Sequence, residues 1–312
     1  MAEKVLVTGG AGFIGYHVVK TLLAKNYQVV VLDNLSTGLK SNVPNAAKFI
    51  ETDILAAEIP AIFAAEKFDH VIHLAAQTMV PFSLKQPEKD AEINILGTLK
   101  ILNAAKNTGV KRLVFASSAA VYGDLAAIPL QEDALTVPTS FYGLSKLTVE
   151  KYLALYYQLF GLNYSVLRFA NVYGEKQGEG GEGGVVSIFV RQIEKDAPLT
   201  VFGDGGQTRD FIYAGDVAEA VCATLNAPPA KINRVYNVST QQQTSVNDLT
   251  RLLTAAAGKD VQINYQEPRP GDIYHSMLDN SSLSSMLNWR PEVDLAAGLK
   301  KTYSDLIRRN EN

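Results

Sequence analysis

The feature that most limits how this chain can fold is a short apolar run that meets a cluster of glycines. The run KVLVT at 4–8 is followed by Gly9, Gly12 and Gly15 in the pattern G-x-x-G-x-x-G, and a helical pattern then covers about 13–25. A strand, a glycine turn and a helix in this order open a β-α-β unit. The first residues therefore predict the start of a parallel sheet.

The same alternation continues through the first half of the chain. Helical patterns lie at about 13–25, 84–108 and 140–160, and further apolar runs lie between them, at 28–33, 47–52, 70–76, 112–118 and 164–170. Nearly continuous apolar strands are typical of parallel sheets that helices cover on both faces. We therefore predict an α/β fold with a doubly wound parallel sheet of the Rossmann type.

The pattern changes after residue 170. Six glycines fall within residues 174–184, a segment that either shapes substrate choice or acts as a solvated hinge. We predict a dinucleotide-binding domain at 1–170 with a return segment at about 211–238. Residues 171–210 and 239–312 are predicted to form a smaller C-terminal lobe that binds the substrate.

Bulk properties exclude several classes of function. The net charge is −3 and the pI is about 5.9, which argues against nucleic acid or an anionic membrane as the partner. The one cysteine, Cys222, excludes an internal disulfide and is interpreted as buried packing, and four scattered histidines predict no metal site. No apolar run reaches the length of a membrane span and no leader pattern precedes the first strand, so we expect a cytoplasmic protein.

The glycine turn and the acid after it predict the cofactor. Helix N–H groups at Phe13 and Ile14 would face a pyrophosphate, and Asp33, at the end of the second strand, would accept hydrogen bonds from an adenosine ribose. No basic residue immediately follows Asp33, which favours NAD over NADP; Asp33 as a simple loop acid is the alternative. Asp53 is predicted to reach the adenine, or else to be a helix cap. The further predicted cofactor-binding residues on these turns are Asn34, Ser36, Thr37, Gly38 and Ile54.

A tyrosine and a lysine, Tyr142 and Lys146, stand four residues apart in the helical pattern at 140–160. They share one face, and an ammonium beside a phenol favours the phenolate, which makes the pair a proton acceptor. The strand at 112–118 ends in two serines that point to the same crevice. Ser118 is predicted to hydrogen-bond the substrate oxygen that Tyr142 deprotonates, and Ser117 is its competitor.

The motifs GGAGFIG, HLAA, SSAAVYG, YGLSK and RFANVYG together resemble the extended short-chain dehydrogenase/reductase family, and most of all its UDP-glucose 4-epimerases. The resemblance covers nearly the whole chain. It implies that Tyr142 is the base, that Lys146 holds the nicotinamide ribose, and that Ser118 assists at the substrate hydroxyl. It also implies that Leu74, Ala75 and Ala76 lie along the cofactor, whereas His73 is interpreted as a strand residue.

The residues after Ser118 separate members of the family. Dehydratases and decarboxylases of this group place an acid there, but this chain has Ala119 and Ala120. We therefore expect an NAD-dependent UDP-hexose 4-epimerase. An NDP-4-keto-sugar reductase, a UDP-glucuronate or pentose 4-epimerase, and a non-catalytic dinucleotide sensor are the alternatives.

The second lobe should hold the UDP-sugar. By resemblance, Arg209 and Arg269 match two diphosphate-binding arginines, Asp272 an acid near the nucleotide ribose, and Asn171 a residue on the diphosphate-sugar. Ser276 stands where some epimerases have a tyrosine, which predicts room for N-acetylated sugars. The resemblance also implies a homodimer through the helices at 84–108 and 140–160.

Overall fold

The computed structural model describes residues 2–178, 183–268 and 273–310. The helices of these residues are α1 Phe13–Ala24, α2 Ile59–Glu66, α3 Val80–Lys85, α4 Pro87–Ala91, α5 Thr98–Thr108, α6 Phe141–Phe160, α7 Val185–Glu194, α8 Ala214–Leu225, α9 Val246–Ala257, α10 Ser281–Leu287 and α11 Leu295–Asn310. The strands are β1 Lys4–Thr8, β2 Gln28–Asp33, β3 Lys48–Glu51, β4 His70–His73, β5 Arg112–Ser118, β6 Tyr164–Phe169, β7 Asn171–Tyr173, β8 Leu199–Phe202, β9 Thr208–Arg209, β10 Phe211–Tyr213, β11 Arg234–Val238, β12 Thr244–Ser245 and β13 Ile263–Gln266.

The main sheet of the described residues has the order β11-β6-β5-β4-β1-β2-β3, and its neighbouring strands are parallel. One face is covered by α1 and α8, where Val18 and Val221 belong to one apolar cluster. The other face is covered by α2, α5 and α6, where Ile101 and Leu153 belong to a second cluster. This arrangement confirms the predicted doubly wound Rossmann-type fold.

A third apolar cluster joins α7, α9 and α11 to β7, β8 and β10 in the C-terminal part of the chain. Phe189, Leu249 and Leu299 are among its buried members. Most members of this cluster fall within the residues predicted to form the smaller lobe. The residue limits of the two domains stay a prediction.

Two local expectations differ from the structure. The helix expected at 84–108 is interrupted: Pro87 starts α4, and a π-helical turn at Glu92–Gly97 separates α4 from α5. The strand expected to return at 211 pairs with β7 outside the main sheet, and β11 is the strand that returns and pairs with β6. Helix α10 ends at Leu287, where Asn288 adopts the left-handed conformation with φ of 53°.

Cys222 lies on α8 within the first apolar cluster, and burial raises the pKa of its thiol to about 12. The side chain therefore packs as a small apolar group rather than a reactive thiolate.

Candidate active site

A cavity of about 500 Å³ opens at the carboxyl ends of the central strands, where ligands bind in open parallel sheets. Almost all the predicted cofactor-binding residues line it. They are Gly9, Gly12, Phe13, Ile14, Gly15, Asp33, Asn34, Ser36, Thr37, Asp53, Ile54, Leu74, Ala75, Ala76, Tyr142 and Lys146. Gly38 does not line the cavity: it packs against Ala11, where an added Cβ would lie 2.9 Å from a backbone carbon.

The glycine turn brings the chain close to the next strand end. Gly9 has φ of +72°, and a Cβ there would lie 2.7 Å from the backbone nitrogen of Ala75. A Cβ on Gly15 would lie 2.2 Å from the Gly9 carbonyl oxygen, so the start of α1 can pack on the turn only without a side chain. Gly12 is less crowded, because a Cβ there would meet only the Gly9 oxygen, at 3.3 Å.

Asp33 is buried at the end of β2 and holds the glycine turn. Its Oδ2 accepts a hydrogen bond from the backbone N–H of Ala11 at 3.0 Å, and its Oδ1 accepts one from Leu35 at 2.8 Å. Burial raises the pKa of this carboxyl above its ordinary value, while the two backbone donors act in the opposite direction. Asp33 therefore shapes the turn in addition to its predicted contact with a ribose, a second role that spacing alone did not indicate.

The turns that follow β2 and β3 are joined by hydrogen bonds. The side-chain amide of Asn34 donates to Asp53 Oδ2 at 2.6 Å, and Asp53 Oδ1 accepts from the backbone of Leu55 at 2.7 Å. The turns after β2 and β3 thus form one wall at the predicted adenine end of the cavity.

His73 belongs to a buried hydrogen-bonded chain. Its Nδ1 lies 2.7 Å from Thr8 Oγ1 and its Nε2 lies 2.9 Å from Thr98 Oγ1, which itself donates to the Asn94 carbonyl at 2.6 Å. Burial, and then the charge of Lys146, lowers the pKa of His73 to about 3, so the ring is neutral. The sequence interpretation of His73 as a strand residue agrees with this geometry.

Tyr142 and Lys146 lie on the first turns of α6, which Ser140 caps by accepting the backbone N–H of Gly143 at 3.1 Å. The Lys146 ammonium donates to the Ala116 carbonyl at 2.9 Å and lies 5.8 Å from the centre of the Tyr142 ring. Burial is the main cause that lowers the pKa of Lys146, to about 8. One helix face therefore presents a phenol and a buried amine to the same end of the cavity.

The two serines at the end of β5 have different partners. Ser117 is buried, and its hydroxyl donates to Glu150 Oε1 at 2.5 Å. Ser117 lines the cavity, whereas Ser118 does not. The Oγ of Ser118 accepts the backbone N–H of Ala120 at 3.2 Å, and this contact does not use the hydroxyl proton of Ser118. Because Ser117 donates its proton to Glu150, Ser118 stays our prediction for the serine that assists at the substrate.

Three predicted substrate residues gather around strands β7 and β9, outside the cavity lining. The backbone of Asn171 donates to Asp210 at 2.9 Å, and Ser276 donates to the Thr208 carbonyl at 3.2 Å, beside Arg209. Arg209 also donates to the Thr208 carbonyl, at 2.8 Å. Arg269 and Asp272 lie outside the described residues, so their predicted roles stay predictions, as do those of Asn171, Arg209 and Ser276.

Sequence reasoning missed part of the cavity wall. The turn after β4 and the helices that follow it bring in Gln77, Thr78, Met79, Phe82, Lys89 and Ile93. The signal for them was topological: a turn at the carboxyl end of a central strand faces the same crevice as the HLAA turn before it.

The cavity fits the dinucleotide that the sequence predicts. It runs from the buried acid Asp33, past the start of α1, to Lys146, and the first turn of α1 carries neither a side-chain cap nor an acidic residue. The backbone N–H groups of that turn therefore point at the place where a pyrophosphate binds in this type of fold. In the described part of the chain, no group of three or more His, Cys, Asp or Glu side chains is arranged to hold a metal ion.

Within the described ranges, no helix combines the length and the apolar character that crossing a bilayer requires.

Known proteins resemble the chain over nearly its whole length. The family model of the NAD dependent epimerase/dehydratase family matches residues 5–239. A putative UDP-glucose 4-epimerase of Methanocaldococcus jannaschii is 42% identical over 98% of this chain and 99% of its own. The UDP-glucose 4-epimerase of Thermotoga maritima, solved with UDP-glucose, has a TM-score of 0.95 and 39% identity over 99% and 100% of the two chains. The UDP-N-acetylglucosamine 4-epimerase of Methanobrevibacter ruminantium M1, solved with UDP-N-acetylmuramic acid, has a TM-score of 0.93 and 34% identity over the same shares.

Proposed function

Because the chain belongs to the NAD dependent epimerase/dehydratase family, we propose that it inverts carbon 4 of UDP-hexoses. The proposed reaction interconverts UDP-glucose and UDP-galactose, and UDP-N-acetylhexosamines are further proposed substrates. NAD is the cofactor, and when bound it supplies the chemistry that takes a hydride from the sugar and gives it back.

The observation that carries the proposal is the placing of Tyr142 and Lys146 on one face of α6 at the inner end of the cavity. Tyr142 takes the proton of the sugar's C4 hydroxyl. It returns a proton to the same oxygen after the keto sugar has rotated to present its other face. The positive charge of Lys146 favours the phenolate form of Tyr142, and Ser118 hydrogen-bonds the same oxygen. The short helical turn Ala119–Val121, which follows Ser118, carries no acid. This turn therefore lacks the carboxyl group that a dehydratase would use to expel a hydroxyl group from the sugar.

The test is product analysis with a panel of UDP-sugars and no added NAD. We expect UDP-glucose and UDP-galactose to interconvert, because an epimerase recycles its hydride. Tyr142→Phe should lower kcat by about 10²- to 10⁴-fold, the usual worth of a general base. The control is Tyr157→Phe, which removes a phenol from an exposed position of the same helix.

Other outcomes assign the alternatives. A requirement for added reduced cofactor with a keto-sugar substrate would identify a reductase. Turnover of UDP-glucuronate or UDP-xylose alone would identify a uronate or pentose epimerase. Absence of turnover with every substrate would contradict the enzymatic proposal.

The width of the substrate range is proposed from Ser276. This half-buried residue lies in the segment that begins at residue 273, and its backbone N–H donates to the Thr208 carbonyl. We expect Ser276→Tyr to lower kcat/KM for UDP-N-acetylglucosamine while turnover of UDP-glucose persists, because a bulky ring would crowd the substituent on C2. Ser285→Tyr, at an exposed position of α10, is the control. Equal losses on both sugars in Ser276→Tyr would contradict the proposal.

We also propose a homodimer that forms through α6 and the helical region at 80–97. Large apolar side chains that face solvent in the single chain are concentrated there. They are Val80, Leu84, Leu96, Phe141, Leu144, Leu155, Tyr157, Leu159 and Phe160. An exposed apolar area of this kind is typical of an interaction surface, and a second copy of the chain would bury it.

A further inference from the structure

The Lys146 ammonium is held in a setting that works against its charge. Its side chain is almost completely buried, and the Phe115 ring centre lies 4.9 Å from Nζ. Burial lowers its pKa to about 8, so a moderate further loss of nearby negative charge would leave the amine neutral at working pH. What keeps this group charged therefore matters for the ionisation of Tyr142.

Two titratable side chains around Lys146 contribute less to keeping it charged than Asp90 does. His73, from β4, is neutral because burial depresses its pKa. Glu150, one turn further along α6, is paired with Arg168: Nη2 lies 2.7 Å from Oε2, and Nε lies 3.0 Å from Oε1. The carboxylate of Glu150 also raises the pKa of Lys146, but it is paired with a guanidinium and is a smaller cause than Asp90.

Asp90, on α4, is the uncompensated charge. Its side chain is buried, and its Oδ1 accepts from Gln77 Nε2 at 2.6 Å and from Asn94 Nδ2 at 3.2 Å. Its Oδ2 is buried and has no hydrogen-bond partner among the described residues. Both donors are neutral amides, so they orient the carboxylate without cancelling its charge. After burial, this charge is the largest influence on Lys146, and it acts to keep the amine protonated.

We propose that Asp90 is a positioning residue that keeps Lys146 in its ammonium form and, through Lys146, keeps Tyr142 ionised. This proposal rests on the proposed function of Tyr142 and Lys146. Asn94 connects Asp90 of α4 to helix α6, because its amide also donates to Ser145 Oγ at 3.1 Å. Ser145 in turn donates to the Tyr142 carbonyl at 2.9 Å. Asp90 thus acts both by charge and by the network that fixes the start of α6.

The sign of the expected effect follows from the charges. A carboxylate near an ammonium favours the protonated amine, so its removal makes Lys146 lose its proton at lower pH. Tyr142 then loses the positive charge beside it and becomes a weaker acid. In Asp90→Asn we therefore expect the alkaline limb of the kcat profile to move down by about one pH unit. A merely structural role would lower kcat by one factor at every pH.

The experiment compares the wild type with Asp90→Asn, Asp90→Glu and Glu88→Gln. Asp90→Glu keeps the charge and should keep the wild-type pH profile even if kcat falls. Glu88→Gln removes an acid from an exposed position of the same short helix and should leave the profile unchanged. If Asp90→Asn does not fold, Asp90→Ser replaces it, since a serine also keeps a short polar group.

A second readout does not depend on turnover. Protein labelled with ¹³C at the lysine ε-carbons is titrated by NMR, and the Lys146 signal is assigned by its absence in Lys146→Arg. We expect its midpoint to lie lower in Asp90→Asn than in the wild type. An unchanged midpoint, or a pH profile that is lowered evenly without a shift, overturns the role of Asp90. A wild type that epimerises no UDP-sugar overturns the proposed function instead, and leaves the NMR comparison interpretable.

Discussion

The buried pair of Glu150 and Arg168 offers the sharpest test of how the site is supported. We consider Glu150→Gln, which keeps the size of the side chain and removes its charge. In the native protein this carboxylate accepts two hydrogen bonds from Arg168, at 3.0 and 2.7 Å, and one from Ser117, at 2.5 Å. The substitution would leave a buried guanidinium without its carboxylate.

The expected loss is about 3–5 kcal/mol of unfolding free energy, the usual cost of breaking a buried ion pair from one side. The remaining contacts of Arg168 do not replace the charge. Its Nη1 donates to the Glu132 carbonyl at 3.0 Å, and its guanidinium carbon lies 4.7 Å from the centre of the Tyr122 ring. These contacts hold the group in place but are neutral.

The assay is urea unfolding followed by far-UV circular dichroism and by the fluorescence of Trp289, the one tryptophan, which is buried. NAD and protein concentrations must be equal for all variants, because a ligand or a second subunit that binds only the native state adds to its apparent stability. Coinciding transitions from the two probes would justify a two-state analysis.

The control is Glu219→Gln, which breaks the exposed pair of Glu219 and Lys25. Their side chains are 51% and 40% exposed, and such pairs contribute about 0–1 kcal/mol. The double variant Glu150→Leu with Arg168→Met should recover much of the loss, because it buries no unpaired charge. A Glu150→Gln protein within 1 kcal/mol of the wild type, or no more affected than Glu219→Gln, would refute this account of the pair.

Three further predictions concern backbone, pH and assembly. Gly9→Ala should abolish NAD binding, measured by calorimetric titration, because its Cβ would lie 2.7 Å from a backbone nitrogen; Gly109→Ala, with φ of 73° and open space around it, should cost only about 1 kcal/mol and keep NAD. Burial raises the pKa of Asp210 from 3.8 to about 6, so the native state holds its proton more tightly than the unfolded state. As pH rises from 3.8 to about 6, the unfolding free energy of the wild type should therefore fall by about 3 kcal/mol relative to that of Asp210→Asn, measured by urea unfolding at each pH. Plots of unfolding free energy against pH that run parallel for the two proteins would contradict this prediction. Leu159→Glu combined with Phe160→Glu should give a monomer by light scattering, and a mass equal to that of a wild-type dimer would contradict the proposed interface.

The central sheet and its glycine turn could be predicted because both follow from short, continuous stretches of sequence. Each central strand is a short apolar run, and the spacing of Gly9, Gly12 and Gly15 constrains the backbone without reference to distant residues. The structure adds that Asp33 holds the turn through Ala11, but the position of that acid was already visible.

The features that sequence reasoning missed depend on contacts between distant segments. The π-helical turn at Glu92–Gly97 interrupts a pattern that looks continuous, and Asn94 within it reaches Ser145 of α6. The segment RVYNV at 234–238 becomes a strand of the main sheet by pairing with β6, which is far earlier in the chain. Similarly, nothing in the sequence shows that Arg168 meets Glu150 while Asp90 meets only neutral amides. Charge compensation in a buried site is set by tertiary structure.

The pairing of β11 with β6 has a consequence for how the protein is made. During synthesis β6 leaves the ribosome well before residues 234–238, so its outer backbone groups have no strand to bond until the more than sixty residues between the two strands have also emerged. During that interval β6 is an unpaired edge strand of the nascent sheet, and unpaired edge strands promote aggregation with other incompletely folded chains. Fragments that stop before β11 should accordingly form inclusion bodies, so any attempt to shorten this protein from its C-terminal side must keep residues 234–238.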